Sequence, residues 1–366
     1  MSKKKIVLVV GARPNFMKSA PLMHELARHS ERFETVLIHT GQHYDHKLSQ
    51  LFFDELKMPK PDIYLGVGSA SHAEQTARIM TGLEGELLEL KPDLVVVFGD
   101  VNSTLATAVV TSKLWIKLAH VEAGLRSFDN TMPEEINRIV TDRLSDYLFV
   151  SEQSGLDNLA AEGVPKEKIF LTGNIMIDSL VSNLEVAKKS DILERLSLKP
   201  QQYVAMTMHR PANVDNPDVL KGILGGIKKI SQHLPVVFPC HPRTQKRFEE
   251  FGVDNTDDTG LRIIEPLGYL DFLKLQADAK FVLTDSGGIQ EETTYLQIPC
   301  ITMRENTERP ATSDIGTNVI TGTDPVKITK AAMEAIEGKS RTGKIPDLWD
   351  GHTAERIVEI LLKKVI

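Results

Sequence analysis

Two carboxylates stand just beyond short apolar runs of the sequence. Asp100 follows the run Leu94–Phe98, and Glu122 follows the run Leu118–Val121. A charged side chain just beyond a buried strand must face a cleft or be paired with an opposite charge. Carboxylates held in this way can give or take protons in a reaction. Asp100 and Glu122 are therefore candidates for general acid–base catalysis.

A further set of charges lies on a segment that predicts a helix opening with Pro133 in its first turn. Glu134, Arg138 and Asp142 are spaced four residues apart and share one face of this helix. An apolar stripe on the opposite face consists of Ile136, Ile139, Val140 and Leu144. Because the polar face of such a helix normally meets water, these residues alone favour a surface ladder of ion pairs over a catalytic role.

The segment TDSGGIQEE, residues 284–292, indicates a site for a phosphate group. It follows an apolar run and opens a segment of helical period. Gly287 and Gly288 allow an anion to approach a helix N-terminus, where free N–H groups and the helix dipole favour negative charge. Glu292, one turn further, can accept hydrogen bonds from ribose hydroxyls. An ordinary helix start, in which Glu291 and Glu292 complement the dipole, explains the segment equally well.

Arg13 and Lys18 follow the first apolar run, in the segment GARPNFMK. A dinucleotide-binding fold would show GxGxxG at this point, and the single glycine of this segment disfavours NAD. The guanidinium of Arg13 suits a diphosphate through bidentate hydrogen bonds, and Lys18 adds a point charge. Pairing of Arg13 with a nearby carboxylate is an equal alternative.

Three histidines, His43, His209 and His241, each follow an apolar run. No pair of them shows the HxH or HExxH spacing of a zinc site, so we expect no metal. Phosphate binding or proton transfer suits histidines at strand ends better than zinc does.

The elements that must position these residues form an α/β pattern. Short apolar runs alternate with longer segments of helical period, which is typical of parallel sheets covered by helices on both faces. The predicted strands are Lys5–Val10, Thr35–His39, Leu94–Phe98, Leu118–Val121, Tyr147–Val150, Ile169–Leu171, Tyr203–Thr207, Val236–Pro239, Arg262–Ile264, Phe281–Thr284, Cys300–Thr302 and Val319–Ile320. Ligands of such sheets bind beyond the carboxyl ends of the strands, which is where most of the candidate residues lie.

The length of 366 residues suits two domains. We expect two Rossmann-like, doubly wound domains over residues 1–175 and 176–350, the first of which carries most of the candidate carboxylates. Residues 351–366 predict a last helix, which by itself fits a terminal helix of the second domain.

Composition limits the class of protein. The net charge of −7 argues against nucleic-acid binding, which needs a basic face. No apolar run approaches the roughly 20 residues that cross a bilayer, and the N-terminal segment lacks the cleavage site of a signal peptide. Cys240 and Cys300 show no CxxC spacing, which disfavours disulfide frameworks and cysteine-rich zinc sites. The sequence predicts a soluble cytoplasmic protein.

Six motifs taken together resemble a known family. In chain order they are GDVNST, HVEAGLRS, PEEINR, TGN, DSGGIQEE and NTERP. The pattern is similar to that of the non-hydrolysing UDP-N-acetylglucosamine 2-epimerases, and it runs from Gly11 to Pro310, most of the chain. The resemblance implies the GT-B architecture, with a ligand cleft between the two domains and a last helix that crosses back onto the first. It also implies a homodimer.

The family interconverts UDP-N-acetylglucosamine and UDP-N-acetylmannosamine without a redox cofactor, so the resemblance implies no cofactor here. UDP leaves C1 as the C2 proton is lost, which gives 2-acetamidoglucal. UDP adds again after a proton reaches C2 from the other face. Such a route needs acid–base groups on both sides of the sugar and firm retention of the diphosphate.

Carried over residue by residue, the resemblance implies acid–base roles for Asp100, Glu122 and Glu134. It implies that Arg138 and His209 are essential neighbours, which favours the site over the surface ladder. The implied nucleotide contacts are Arg13, Lys18, His209, Tyr269, Ser286, Gly287, Gly288 and Glu292.

The catalytic positions match the family pattern better than the candidate effector positions do. Family members often carry a glutamate where this chain has Ala212, a second glutamine after the TxQH motif, and an HxNP pattern near His241. In bacterial relatives these regions contribute to a second UDP-N-acetylglucosamine site that activates the enzyme. The candidate residues for an effector site here are Gln42, His43, Arg210 and His241. The departures predict an altered effector site or a different sugar.

Four other functions remain open at this stage. A GT-B glycosyltransferase would use the same nucleotide cleft, but it needs one catalytic base rather than three carboxylates. A hydrolysing relative, which releases UDP and free N-acetylmannosamine, would retain nearly all the motifs. Ala212 and the segment TGQHYD keep open an epimerase of a modified UDP-sugar, such as a 2,3-diacetamido uronic acid. A non-catalytic sensor is disfavoured because the carboxylates are present.

Overall fold

The computed structural model describes residues 3–42, 55–240, 242–252 and 260–365, apart from the side chains of residues 13, 242 and 243. The chain forms two units. The first comprises Met1–Ser182 and Asp347–Ile366, and the second comprises Asn183–Pro346. The boundaries expected from the sequence, after residues 175 and 350, lie a few residues from these limits.

The first unit is built on a seven-stranded parallel sheet. Its strands are β1 Lys4–Val10, β2 Phe33–His39, β3 Ile63–Tyr64, β4 Leu94–Phe98, β5 Lys117–Ala123, β6 Tyr147–Val150 and β7 Ile169–Leu171. The strand order is β3-β2-β1-β4-β5-β6-β7. The chain first moves outward from β1 in one direction and then returns to β4 on its other side, so the order reverses between β1 and β4.

Helices cover this sheet because its strands are apolar on both faces. They are α1 Arg13–Arg28, α2 His72–Leu90, α3 Asn102–Lys113, α4 Pro133–Leu144, α5 Gln153–Ala161, α6 Ile175–Ala187 and α15 Thr353–Lys364, with a short 3₁₀ helix at Lys166–Lys168. Helix α6 is continuous across the boundary between the units. Helices α2 and α3 pack their apolar residues against β1 and β4 to form the core of this unit.

The second unit is built on a six-stranded parallel sheet with the order β10-β9-β8-β11-β12-β13. Its strands are β8 Val204–Met206, β9 Val236–Pro239, β10 Leu261–Ile264, β11 Phe281–Thr284, β12 Cys300–Thr302 and β13 Asn318–Ile320. Its helices are α7 Ile192–Arg195, α8 Pro211–Val214, α9 Pro217–Ser231, α10 Pro242–Glu250, α11 Tyr269–Ala277, α12 Gly287–Leu296, α13 Pro310–Asp314 and α14 Pro325–Ile336. Here the strand order reverses between β8 and β11.

The last helix, α15, belongs to the first unit and contacts α1. Asp178 of α6 holds its N-terminus, because the carboxylate accepts hydrogen bonds from the backbone N–H groups of Thr353 at 3.1 Å and Ala354 at 2.7 Å. Just before this helix, the buried indole of Trp349 donates to the backbone oxygen of Ser151 at 3.0 Å. These contacts return the end of the chain to the first sheet.

The predicted orientation of α4 is wrong. Ile136 and Ile139, expected on the buried stripe, are 49% and 38% exposed, whereas Arg138 and Asp142 are 2% exposed. The helix therefore buries its polar face. The physical reason is that the buried charges are paired, since Asp142 contacts His120 and Arg138 contacts Asp100. These partners replace the water that the two side chains lose on burial. The burial of this face also excludes a surface ladder of ion pairs.

The fold class expected from the sequence is confirmed, since both sheets are parallel and covered by helices. Strand β3 was missed because it has two residues, one of which, Tyr64, is half exposed. Among the described residues, no helix is long and apolar enough to cross a membrane.

Candidate functional site

Asp100 lies where the strand order of the first sheet reverses, and Glu122 lies on the neighbouring strand. Asp100 follows β4, and Glu122 lies near the end of β5, which pairs with β4 in parallel. Ligands of open parallel sheets bind beyond the carboxyl ends of the strands at such a point, because the loops on its two sides diverge and leave a crevice.

Lys18 and Glu122 form a buried ion pair in which Nζ contacts Oε2, and the two side chains are 6% and 4% exposed. Gly99 makes room for this pair. Its φ is +61°, and a Cβ at this position would lie 2.7 Å from Lys18 Nζ and 3.2 Å from Glu122 Oε2. The ion pair therefore lies directly beside the chain that leads into Asp100.

Arg138 connects Asp100 to helix α4. Its Nη1 contacts Asp100 Oδ2, and its Nη2 lies 2.6 Å from Glu135 Oε2. Glu135 also accepts hydrogen bonds from the backbone N–H groups of Ser127 and Phe128, both at 2.9 Å. Burial opposes the charge of Glu135, but these hydrogen bonds and Arg138 hold its pKa below the usual value. The guanidinium is fixed from two sides, and Asp100 is oriented with it.

The backbone of Glu122 is strained. Its φ is +75°, in the left-handed region that a non-glycine residue rarely adopts, and the pairing of β5 with β6 shifts register between Val121 and Ala123. Such a conformation costs on the order of 1–3 kcal/mol and persists only where its surroundings impose it. The bulge changes the direction in which the Glu122 side chain leaves the strand. Glu134, the third candidate, lies half-buried in the first turn of α4.

In the second unit, His209 and Asp285 form a pair where the strand order reverses between β8 and β11. His209 Nδ1 lies 3.0 Å from Asp285 Oδ1, and Asp285 Oδ2 accepts hydrogen bonds from the backbone N–H groups of His209 and Arg210 at 2.9 and 2.8 Å. Burial opposes the charge of Asp285, but His209 and these N–H groups hold its pKa below the usual value. The imidazole is half exposed, and its Nε2 points away from the carboxylate.

Helix α12 begins at Gly287, directly after Ser286 as its N-cap residue. A cation lies against this N-terminus. A Cβ at Gly287 would be 2.4 Å from Nη1 of Arg309, whose Nε lies 2.8 Å from Glu291 Oε1. The free N–H groups of the first turn and the helix dipole favour an anion here. The guanidinium is already paired with the buried carboxylates of Glu291 and Glu308.

Glu292 lies on α12 and is 2% exposed. Burial raises the pKa of Glu292 to about 7, and the neighbouring Glu291 adds to this shift, whereas hydrogen bonds from Gln276 and Tyr269 oppose it. Tyr269, the first residue of α11, is itself 6% exposed. The structure therefore brings Tyr269 and Glu292, both predicted nucleotide contacts, next to each other.

Gln42 and Arg210, the two predicted effector residues that the structure describes, make contacts within their own units. Gln42 Oε1 accepts hydrogen bonds from Ser103 N at 2.9 Å and from Ser103 Oγ at 2.7 Å, so it caps helix α3. Arg210 Nη2 lies 3.6 Å from Glu308 Oε1. The predicted site residues outside the described part of the chain are His43, His241 and the side chain of Arg13.

Three residues that organise these clusters were not among the predicted site residues. Asp285 stands beyond a buried strand within the predicted phosphate segment, in the same kind of position as Asp100, so its signal was present. His120 is a polar residue inside an otherwise apolar strand, and Asp142 was assigned to water-facing pairs. In the described ranges, no group of three or more His, Cys, Asp or Glu side chains is placed to hold a metal ion.

Comparison with known proteins identifies the family of this chain. Residues 24–362 match the model of a protein family described as UDP-N-acetylglucosamine 2-epimerase. The chain belongs to this family. The motif-based prediction of the family is thereby confirmed.

Relatives of this family member match it over nearly its whole length. A UDP-N-acetylglucosamine 2-epimerase of Methanocaldococcus jannaschii is 43% identical, and the match covers 98% of each chain. A crystal structure of the enzyme from that organism in complex with UDP-GlcNAc and UDP has a TM-score of 0.91 and covers 98% of this chain and 99% of that one. A UDP-2,3-diacetamido-2,3-dideoxy-D-glucuronate 2-epimerase of Pseudomonas aeruginosa is 38% identical, with 98% of this chain and 99% of the relative covered.

Proposed function

We propose that this protein interconverts UDP-N-acetylglucosamine and UDP-N-acetylmannosamine by inverting C2. The observation that carries the proposal is the placement of Asp100 and Glu122 at the ends of neighbouring strands. Each contacts a cation at the same edge of the sheet, Arg138 and Lys18 respectively. Inversion at C2 needs one group to take a proton and another to deliver one, and this cluster supplies more than one such group in one place.

The reaction has two balanced halves. In the first, a carboxylate takes the C2 proton, the C1=C2 bond forms, and the C1–O electron pair leaves with UDP. In the second, a proton is delivered to the other face of C2 and a diphosphate oxygen attacks C1. We assign the proton transfers to Asp100, Glu122 and Glu134, with Arg138 fixing the first of them.

Retention of UDP between the two halves is assigned to the second unit. The N-terminus of α12 with Gly287 and Gly288 suits the diphosphate. Glu292 suits the ribose hydroxyls. His209, which Asp285 orients, is suited either to bind the diphosphate or to transfer a proton to it. Of the first-unit residues, Arg13 and Lys18 are proposed to add charge toward the diphosphate.

A 2,3-diacetamido uronic acid sugar is the second candidate substrate. The relative of that name is 38% identical over 98% of this chain, and Ala212 stands exposed on α8 where the family often has glutamate. Both candidates share the C2 chemistry, so they differ in specificity and not in mechanism.

A substrate panel tests the proposal. The purified protein is incubated separately with UDP-N-acetylglucosamine and with the 2,3-diacetamido uronic acid nucleotide, and products are followed by proton NMR. Formation of UDP-N-acetylmannosamine with the larger kcat/KM supports the first candidate. Turnover of the uronic acid nucleotide alone supports the second, and free sugar with UDP from either would refute a non-hydrolysing reaction.

We further propose a homodimer, which the resemblance to the family implies. The net charge of −7 supports the absence of nucleic-acid partners, and we propose a cytoplasmic location without membrane partners. Light scattering on the purified chain tests the dimer directly. A mass of one chain, 40.7 kDa, would refute it.

A further inference from the structure

A buried network lies behind the carboxylates of the first unit. His120, in β5, and Asp142, in α4, have side chains that are 0% and 1% exposed. Neither of them is among the residues proposed to contact the substrate. Both, however, contact the backbone segments that carry Asp100 and Glu122.

His120 bridges two such segments through its ring. Its Nε2 lies 2.8 Å from the backbone oxygen of Gly99, and its Nδ1 lies 2.6 Å from Asp142 Oδ1. Because a carbonyl oxygen can only accept, Nε2 donates to it. The peptide that leads from Gly99 into Asp100 is thereby fixed to strand β5.

The second oxygen of Asp142 fixes the other side of Glu122. Asp142 Oδ2 accepts a hydrogen bond from the backbone N–H of Gly124 at 3.0 Å and lies 2.7 Å from Arg126 Nη1. Burial opposes the charge of Asp142, but His120 and Arg126 hold its pKa below the usual value. One ionised carboxylate therefore contacts residues two before and two after Glu122.

We propose that Asp142, acting through His120, is a positioning residue that fixes Asp100 and Glu122 relative to each other for proton transfer at C2. This proposal rests on the proposed function. The strained φ of +75° at Glu122 falls at the centre of the clamped segment His120–Gly124. A strained conformation needs surroundings that impose it, and Asp142 imposes it from both sides.

The consequence for the reaction follows from its two halves. A shift of about 1 Å in a reacting group can reduce a rate by about 10²-fold. If the carboxylates lose their mutual placement, elimination and re-addition are no longer matched. UDP and the glycal then leave before the second half is complete, so released intermediate increases relative to epimerised product.

The test compares Asp142→Asn and His120→Gln with a matched control, Asp178→Asn. Asp178 is also a buried carboxylate of the first unit that accepts two backbone hydrogen bonds, but it holds helix α15 instead of the site. An amide at position 142 cannot accept from His120, Gly124 and Arg126 together, because it has one acceptor oxygen. All three variants are expected to lower Tm.

Only the site variants are expected to change the reaction. Asp142→Asn and His120→Gln should lower kcat by about 10²-fold, leave KM and the Kd for UDP unchanged, and raise the ratio of released glycal to epimerised product. Asp178→Asn should retain the wild-type kcat and ratio. If the site variants behave as Asp178→Asn does, or if they lose UDP binding in proportion to kcat, the role is only structural and the proposal is overturned.

A crystal structure of Asp142→Asn separates this proposal from the proposed function, because it needs no turnover. We expect Glu122 to leave the left-handed region and the Lys18–Glu122 pair to separate, with both unchanged in Asp178→Asn. His120→Gln provides the same readout should Asp142→Asn fail to fold. If Glu122 keeps its conformation in Asp142→Asn, the positioning role is overturned even when the wild type is an active epimerase. If Glu122 is displaced in the variant but the wild type is inactive, only the proposed reaction is overturned.

Discussion

We expect Glu292 to make the stability of the second unit depend on pH near neutrality. Its carboxyl group is buried on α12, and burial raises its pKa to about 7. In the unfolded chain the group has an ordinary pKa, so it gives up its proton at a lower pH than in the folded chain. Because the pKa is higher in the folded chain, Glu292 makes its full contribution to the free energy of unfolding below pH 4.5, the pKa in the unfolded chain. This contribution is lost as the pH rises through about 7, the pKa in the folded chain. The substitution Glu292→Gln removes this dependence and retains an acceptor for Gln276.

The size of the effect follows from the two pKa values. A difference between the ordinary value of 4.5 and about 7 corresponds to about 3 kcal/mol once both states are ionised. About 1 kcal/mol of this is already lost at about pH 5.5, so raising the pH from there to about 8.5 costs the folded wild type about 2 kcal/mol through this residue. Glu292→Gln should lose none of it, and the variant should be more stable than the wild type at the higher pH.

Urea unfolding followed by circular dichroism at the two pH values measures this difference. The two tryptophans, Trp115 and Trp349, both belong to the first unit, so their fluorescence reports that unit and serves as an internal control. The free energy reported by tryptophan should show the same pH dependence in both proteins. Equal pH dependence of the second-unit transition in wild type and variant would refute the raised pKa of Glu292.

The same pKa predicts a proton release on UDP binding. Ribose hydroxyls that donate to Glu292 favour its ionised form, so binding at about pH 6.5 should release up to about three quarters of a proton from this residue. Calorimetry in two buffers of different ionisation enthalpy measures the total. Subtracting the proton release measured for Glu292→Gln from that of the wild type removes the contribution of UDP itself. No difference between the two proteins would exclude Glu292 as a ribose acceptor.

Three further predictions concern single side chains. Glu134→Gln should retain UDP binding, measured by calorimetry, and lose about 10²–10⁴-fold in kcat, measured by turnover assays. The control Glu74→Gln, in the equivalent first turn of α2, should lose neither. Asp178→Ala should lower the free energy of unfolding by about 1 kcal/mol through loss of the α15 cap, measured by tryptophan-monitored urea unfolding, and no change would contradict the capping role. Glu308→Gln should cost about 3–5 kcal/mol at neutral pH, because Arg304 loses its buried partner. The pKa of Glu308 is lowered, so the difference from wild type should shrink below about pH 4.5, and a constant Tm difference would contradict this.

The strands were predictable because their apolar character is local. Leu94–Phe98 is five buried residues in a row, and the structure has a strand with the same bounds. Its neighbour was predicted too short, since Glu122 and Ala123 continue β5 through a bulge that no run of apolar residues announces. The placement of carboxylates beyond strand ends was equally local. It therefore identifies Asp100 and Glu122 as a pair of candidates without information on their partners.

The partners were not predictable from spacing. The apolar stripe of helix α4 predicts which face is buried only if water covers the opposite face. Here that face meets Asp100, His120 and Arg126 instead, and these residues come from three other parts of the chain. Long-range ion pairs of this kind decide burial, and the periodicity of one helix carries no information about them.

The central claim, inversion at C2, is tested most directly by incubating the protein with UDP-N-acetylglucosamine in deuterated water and following proton NMR. The account predicts that UDP-N-acetylmannosamine appears with deuterium at C2, since the proton taken from one face is replaced from solvent through the carboxylates. UDP-N-acetylmannosamine that retains the original C2 proton would contradict the proton-transfer roles of Asp100, Glu122 and Glu134. Unchanged substrate in the presence of measured UDP binding would contradict the proposed reaction itself.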